Sequence, residues 1–261
     1  MALTADRSAI CAIAVIAKAP RIGAAKTRLV PPLSAAEAAE LSGCFIRDAA
    51  ENIAAAARHA AIEGYIAYSP PDAAAEFRLL VEDGTRLLSS RRIGLGASLY
   101  DAAEDLLAVG YGSVCLVNSD SPTLPTSVLI DAARMLSYGD DRIVLGPAED
   151  GGYYLIGLKR AHARLFEDIA WSTPRVFAQT VERGRAIGLE PFVLPIWYDV
   201  DDIAALQRLY AELRGTDDTH NPGAVHRAAH TGAFLRQLFR DNRDPRLMLD
   251  ARGFAAGRGG P

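Results

Sequence analysis

The chain is poor in cysteine, with three in 261 residues, and Cys11, Cys44 and Cys115 lie far apart, no two within metal-ligand spacing. This gives no support to a disulfide framework or a cysteine-built zinc site, and an odd, scattered set suits a reducing compartment. Cys11 and Cys115 fall inside apolar runs and read as small buried hydrophobes. An excess of positive charge is also missing. Against 32 acidic residues there are 28 Lys and Arg, a formal net charge of −4, so nothing marks a nucleic-acid face and a small ligand is the expected partner. The apolar stretch Ala9 to Ala17 lacks a basic n-region and falls well short of the roughly 20 residues a bilayer helix needs. It reads as a first core strand, with no membrane partner and a cytoplasmic location expected.

Three familiar motifs are missing as well. A phosphate-binding loop of the G-x-x-x-x-G-K-[ST] type needs Lys directly after its second Gly. Here no Gly stands five residues before Gly23, where the first Gly would be, and two alanines separate Gly23 from Lys26. The dinucleotide fingerprint G-x-G-x-x-G is matched only in its first two glycines by GLGASL at Gly94 to Leu99, which disfavours a nicotinamide dehydrogenase. His226 and His230 have i, i+4 spacing, but the Glu of H-E-x-x-H and a third ligand are lacking, so zinc is not expected there. No internal repeat is visible.

What the chain does have is 50% hydrophobic residues arranged as short apolar runs, each followed by a longer helical pattern. The runs Ala9 to Ala17, Ile62 to Tyr68, Thr85 to Leu88, Ser113 to Val117, Ile143 to Gly146, Tyr153 to Leu158 and Pro191 to Trp197 are the expected strands. Helices are expected from a Ser34–Glu37 capping box to about Arg58, through about Val81, from about Ala97 to Val109, Thr126 to Leu136 and Arg175 to Ile187. Parallel strands need a long crossover, which a helix supplies, so this alternation predicts an α/β fold with a mostly parallel central sheet flanked by helices. Residues 1–215 are expected to form the main domain, and residues 216–261 a C-terminal helix and mobile tail.

The motif LVNSDSPTLP, at residues 116 to 125, carries the first functional signal. In an open α/β sheet, ligands sit beyond the carboxyl ends of the strands. Ser113 to Val117 reads as a central strand, so Asn118, Ser119 and Asp120 fall in the crevice, and Pro122 turns the chain. Asp120 could instead be a turn or capping group, but the expected N-cap is Thr126 or Ser127, which leaves it free for a ligand. A second acidic cluster, Tyr198-Asp-Val-Asp-Asp202, follows the run Pro191 to Trp197. Asp120 and Asp201 facing each other would hold Mg²⁺ or Mn²⁺ with positions open to phosphate oxygens. Asp202 fits a helix N-terminus better.

The loop after the first strand, Lys18-Ala-Pro-Arg-Ile-Gly-Ala-Ala-Lys-Thr-Arg28, concentrates four cations in an acidic chain. That pattern suits a polyphosphate held by side chains, with Lys26 and Arg28 as the leading contacts.

With these residues assembled, AKAPRIGAAKTRL, LVNSDSPTLP, LGPAEDGGYYLIGL, IAWSTPRVF and YDVDD, in that order and spacing, resemble the transferases associated with radical-SAM and selenium-domain gene clusters. That family has the glycosyltransferase-A fold and is nucleotide-diphospho-sugar-transferase-like. A looser similarity is to 2-phospholactate guanylyltransferase and the molybdenum-cofactor guanylyltransferases. The phospholactate enzymes lack the DGGYYLIGL element, and its presence here moves the reading away from simple guanylyl transfer.

The resemblance implies a nucleotide in the N-terminal half, with Asp120 and Asp201 on a divalent cation. Lys18, Arg21, Lys26 and Arg28 would lie near the phosphates, and the loop with Gly94, Gly96 and Ser98 near base and ribose, with Ser119 also among the nucleotide contacts. Gly151, Gly152, Tyr153, Trp171, Ser172 and Asp199 would line the acceptor or sugar pocket. Asp150 is the candidate base toward an acceptor hydroxyl and Glu149 its rival, although Asp150-Gly151-Gly152 also reads as an ordinary turn. The leading expectation is a metal-dependent glycosyltransferase with a nucleotide-sugar donor and a small-molecule acceptor. A nucleotidyltransferase joining an NTP to a phosphorylated small molecule, and a noncatalytic nucleotide-binding regulator, are the alternatives.

Overall fold

The run Cys11–Lys18 (β1) is buried along nearly its whole length, which happens only where both faces of a strand are covered. Its side chains alternate. Cys11, Ile13, Val15 and Ala17 enter one core, while Ala12 and Ala14 enter another on the opposite face of the sheet. The computed structural model describes residues 6–81, 85–215 and 225–241.

β1 leads through a loop to the helix Ala35–Ala57 (α1), whose N-terminus is closed by a full capping box of Ser34 and Glu37. Then follow Ile62–Ser69 (β2), Ala74–Leu80 (α2), Arg86–Ser89 (β3), Leu95–Ala108 (α3), Ser113–Asn118 (β4), Thr126–Ser137 (α4) and Ile143–Pro147 (β5). Tyr153–Leu158 (β6), Val176–Ala186 (α5), Phe192–Val193 (β7), Ile203–Gly215 (α6) and Ala229–Asp241 (α7) complete the described elements. The fold is therefore α/β, with a mostly parallel seven-stranded sheet in the order β3-β2-β1-β4-β6-β5-β7, flanked by helices.

β6 departs from the parallel pattern, running antiparallel to both β4 and β5. The cause is the loop that precedes it: a connection as short as 148–152 can only return the chain antiparallel to β5. α4 carries the chain from β4 to β5, and β6 then fills the place between them. The carboxyl ends of β1 to β5 and the amino end of β6 thus share one edge of the sheet.

One core lies between the sheet and α1, α2 and α4, the other beneath α3 and α5. A third forms beyond the sheet edge, where Leu29 and Leu33 of the first loop and Leu41 and Phe45 of α1 meet Leu206 and Leu209 of α6 and Leu235 and Leu238 of α7. α7 is anchored by Asp48, fully buried on α1, whose carboxylate oxygens accept the backbone N–H groups of His230 and Thr231 at 3.0 and 2.8 Å. These are donors that a helix N-terminus leaves without internal partners. The mobile tail expected beyond α7 lies outside the described residues. Cys11 and Cys115 are buried free thiols on neighbouring strands, with sulfurs 3.8 Å apart.

Two local expectations are corrected. The strand expected over Pro191 to Trp197 is reduced to Phe192–Val193 and a single bridge at Trp197, because Pro191 and Pro195 cannot donate to a ladder. The N-cap of α4 is Pro125, with no side-chain cap, rather than Thr126 or Ser127. The Thr126 hydroxyl instead donates to Asn52 Oδ1 at 2.6 Å, while Asn52 Nδ2 donates to the Leu124 carbonyl at 2.7 Å. No helix among the described residues is long and apolar enough to cross a membrane.

His226 precedes α7 with its Nε2 enclosed and without a hydrogen-bond partner among the described residues. Burial pulls its pKa below the ordinary 6.5, and Glu51 and the Asp48 backbone oppose that only in part. Neutral His226 therefore contributes stability that is present above the unfolded-state pKa and is lost as pH falls through the lower folded-state value, because the unfolded chain takes up the proton first. Urea melts of the wild type should show a falling midpoint below about pH 6.5, and His226→Gln should flatten that dependence. An identical slope in both proteins would remove His226 as its source.

Candidate functional site

β4 delivers Asn118, Ser119 and Asp120 to the shared edge, and two hydrogen bonds fix what they face. The backbone N–H of Val200 donates to the Asp120 carbonyl at 2.9 Å, and the Ser121 hydroxyl donates to the Tyr198 carbonyl at 2.9 Å. Segments 119–121 and 198–201 are stitched side by side in this way, which brings Asp120 and Asp201 together although they are far apart in the chain. Ser119 lies beside them and donates its hydroxyl to Asp120 Oδ1 at 3.1 Å. Asp202 has the helix role that its position suggests, accepting the Ala205 N–H at 2.8 Å at the start of α6.

Between the two carboxylates stands Lys26. Its Nζ lies 2.9 Å from Asp120 Oδ1, 3.0 Å from Asp201 Oδ1 and 2.8 Å from the Val200 carbonyl, and its side chain is only 7% exposed. The Phe45 ring centroid is 5.3 Å from the ammonium. Burial alone would lower its pKa, but Asp120 and Asp201 outweigh that and raise it above the ordinary 10.5, so Lys26 keeps its charge.

Acidic charge is in surplus around this lysine. Asp199 is raised to about 6, first by burial and then by Asp150, Asp201 and Asp120, so four carboxylates share one neighbourhood. Arg28 Nη1 approaches Asp201 Oδ2 only to 3.9 Å and is 74% exposed. Hard oxygen donors are what Mg²⁺ or Mn²⁺ requires, and Asp120 and Asp201, each within 3.0 Å of the Lys26 ammonium, bring two of them to one position.

The remaining cations of the first loop divide. Lys18 is exposed at the end of β1. Arg21 is engaged by carboxylates: its Nε donates to Glu76 at 3.0 Å and its Nη2 to Asp72 at 3.2 Å, at the start of α2. An arginine committed to two carboxylates has little left for a ligand, and Glu76 and Asp72 were not distinguishable in the sequence as its partners.

Across the crevice, the loop before α3 is held by ion pairs. Arg92 grips Asp101 with Nε at 2.9 and 3.0 Å, and Arg91 reaches Glu104 and Asp105 at 3.0 and 2.9 Å. Ser98, expected in that loop, lies in the first turn of α3, and its hydroxyl ties the helix back to the loop, 2.9 Å from Ser90 Oγ and 3.1 Å from the Arg92 carbonyl. Gly94 takes φ +103 at the head of α3, and Gly96 lies directly beneath Trp171, where a Cβ would come within 2.6 Å of the indole. Trp171, expected on the acceptor side, is therefore in contact with the loop expected on the nucleotide side.

Residues 148–152 form a tight turn joined to the Trp197 segment by a Glu149 N–H bond to the Trp197 carbonyl at 3.0 Å. Asp150 Oδ1 accepts the Gly152 N–H at 2.8 Å, the turn role open to it from sequence, and the residue remains exposed. Gly151 adopts φ +88 with its missing Cβ facing the Pro174 carbonyl at 2.3 Å, so no other residue fits without displacing that loop. Glu149, the rival base candidate, forms a 2.7 Å ion pair with Arg208. Tyr153 packs edge-on to Trp171 at 6.4 Å, and burial raises the pKa of its enclosed hydroxyl. Ser172 is exposed next to Trp171 with φ +61.

Sequence reasoning missed Phe45 and the Val200 carbonyl as walls around Lys26, and Ser121 as the stitch to Tyr198. A main-chain carbonyl leaves no mark in a sequence, and Phe45 reads there simply as a core residue of α1. Among the described residues, one set of three acidic or imidazole side chains, Asp48, Glu51 and His230, has its ligand atoms all within 4.8 Å of one another, close enough to share a metal ion; it lies apart from the Asp120–Asp201 pair. Asp48 already holds the N-terminus of α7, and His230 Nε2 is 2.6 Å from Glu51.

Residues 52–173 match a family model described as "Uncharacterized protein conserved in bacteria (DUF2064)". That span contains Asp120 and the DGGYY turn but not the basic loop or Asp201. Among solved structures, one described as a nucleotide-diphospho-sugar transferase from Desulfovibrio desulfuricans G20 is 29% identical, with a TM-score of 0.76, and the match covers 88% of this chain and 95% of that one. The CMP:2-keto-3-deoxy-manno-octonic acid synthetase, complexed with CTP, is 14% identical over 78% of this chain and 98% of that one, with a TM-score of 0.50, a likeness of fold alone. No curated protein matches the sequence.

Because Gly96 and the Trp171 indole interlock, Gly96→Ala is expected to displace the ring and shift its emission, at a stability cost of about 1–3 kcal/mol for overpacking. Fluorescence in a Trp197→Phe background isolates the Trp171 signal. An unchanged spectrum would show that the two loops are not in contact.

Proposed function

We propose that this chain is a metal-dependent glycosyltransferase that uses a nucleotide-diphospho-sugar donor and a small-molecule acceptor. The observation that carries the reading is the convergence of Asp120 and Asp201 on one cation position at the carboxyl edge of the sheet, beside a basic loop. The similarity to the Desulfovibrio protein, which extends over 88% of the chain, supports it. Residues 1–215 are taken as the catalytic unit, with α7 docked on α1 as an appendage.

Asp120 and Asp201 would hold Mg²⁺ or Mn²⁺. When bound, the ion supplies positive charge against a departing diphosphate, a kind of electrostatic stabilisation that dominates many enzymes. Lys26, Arg28 and Lys18 would neutralise the remaining phosphate charge. Gly94 and Gly96 would line the nucleotide side, with Trp171 and Tyr153 walling the crevice toward the sugar. On the acceptor side Asp150 is the preferred base. One of its oxygens holds the turn through Gly152, and the other is available for a hydroxyl proton. Glu149 is not retained as its rival, since Arg208 neutralises it.

The distribution of charge favours a diphosphate over a triphosphate. Arg21, Arg91 and Arg92 are all committed to carboxylates, which leaves few cations for the larger anion that a nucleotidyltransferase would have to clamp.

The test is a panel of nucleotide sugars and nucleoside triphosphates offered with Mn²⁺, with the released phosphate species identified. Nucleoside diphosphate release from a sugar donor is expected, and pyrophosphate release would replace this reading with nucleotidyl transfer. Asp120→Asn and Asp201→Asn should each lower metal-dependent turnover by about 10²-fold or more. Full turnover in either variant would sink the assignment of the site.

A further inference from the structure

The most constrained polar group in the crevice is the Lys26 ammonium. Its three N–H donors face three oxygens, from Asp120, Asp201 and the Val200 carbonyl, all between 2.8 and 3.0 Å away. Its backbone sits in the left-handed region, at φ 46 and ψ 41, at the head of the turn Thr27–Leu29, and Leu29 pins that turn into the core. Two carboxylates and a main-chain carbonyl around one positive centre make the donor set of a hard cation. Here an ammonium fills the middle of it.

We propose that Lys26 is a tethered counter-cation that occupies the Asp120–Asp201 cation position in the metal-free protein, and that a divalent ion must displace it to bind. This rests on the metal reading above and adds a consequence to it. Asp120 and Asp201 cannot serve the ammonium and a divalent ion fully at once, so each ion lowers the protein's affinity for the other. A displaced ammonium on a flexible four-carbon stem is a point charge seeking a new anion, and phosphate oxygens at the same crevice provide one. Phosphate binding then favours metal binding, and by linkage metal binding favours phosphate to the same degree. The arrangement makes the empty crevice stable without a metal and makes metal and phosphate bind as a pair.

The test is titration of the full chain with Mn²⁺ alone, followed by the electron paramagnetic resonance of the free ion. Wild type is compared with Lys26→Met, which removes the charge, and Lys26→Arg, which keeps it. Lys26→Met should bind Mn²⁺ at least about tenfold more tightly than wild type, a difference readily resolved. Lys26→Arg should stay close to wild type, and adding Asp201→Asn to Lys26→Met should abolish the gain. Equal or weaker binding by a folded Lys26→Met, with binding still dependent on Asp201, would overturn the proposal and leave the metal reading standing. No Mn²⁺ binding by any of these proteins would overturn both. A measurement on the unmodified chain covers the case in which Lys26→Met does not fold. The exchange-protected Lys26 ammonium signal in ¹⁵N NMR should be lost when Mg²⁺ and inorganic pyrophosphate are added together, and its persistence at saturation would overturn the proposal.

Discussion

One buried ammonium between two aspartates organises the mouth of this sheet. Lys26 comes from the loop after the first strand, Asp120 from the end of the fourth and Asp201 from the segment leading into α6, so a single charge cluster ties together three distant parts of the chain. The main chain reinforces it, since the Val200 carbonyl accepts from the same ammonium and the Val200 N–H reaches the Asp120 carbonyl. Burying one cation between two carboxylates offsets the desolvation of all three groups only if the geometry is good. Here each N–H of the ammonium meets an oxygen.

The rest of the crevice can be understood as control of charge. Most of its arginines are neutralised in pairs, Arg21 by Glu76, Arg92 by Asp101 and Arg208 by Glu149. These pairs hold loops in place. The carboxylates Asp120, Asp150, Asp199 and Asp201 are left with Lys26 and a distant Arg28, and the raised pKa of Asp199 reflects its burial first and then that imbalance. A crevice with spare negative charge beside a lysine and an exposed arginine suits a ligand that is itself an ion pair, such as a metal diphosphate.

Much of this was legible in the sequence, because the informative patterns were local. The unbroken apolar run ending at Asn118-Ser119-Asp120 marked a central strand and its functional end, and Ser34 with Glu37 marked the start of α1. The features that stayed hidden depend on tertiary proximity. Nothing local shows that the return through 148–152 inserts an antiparallel strand beside β4, or that Arg21 and Glu149 find partners on α2 and α6. The prolines at 191 and 195 reduce the run before Asp199 to the two-residue strand Phe192–Val193, a limit that its apolar pattern alone did not show. The lysine standing between the two aspartates could not be foreseen, since the loop pattern showed its charge without its position.

The central claim is that Asp120 and Asp201 form the cation site of the crevice. Anomalous scattering from crystals soaked with Mn²⁺ and a nucleoside diphosphate locates the ion without reference to turnover. The account predicts a peak about 2.0–2.6 Å from oxygens of both carboxylates, with the Lys26 ammonium moved onto a phosphate. A peak instead at Asp48, Glu51 and His230, with Lys26 still between the two aspartates, would contradict it.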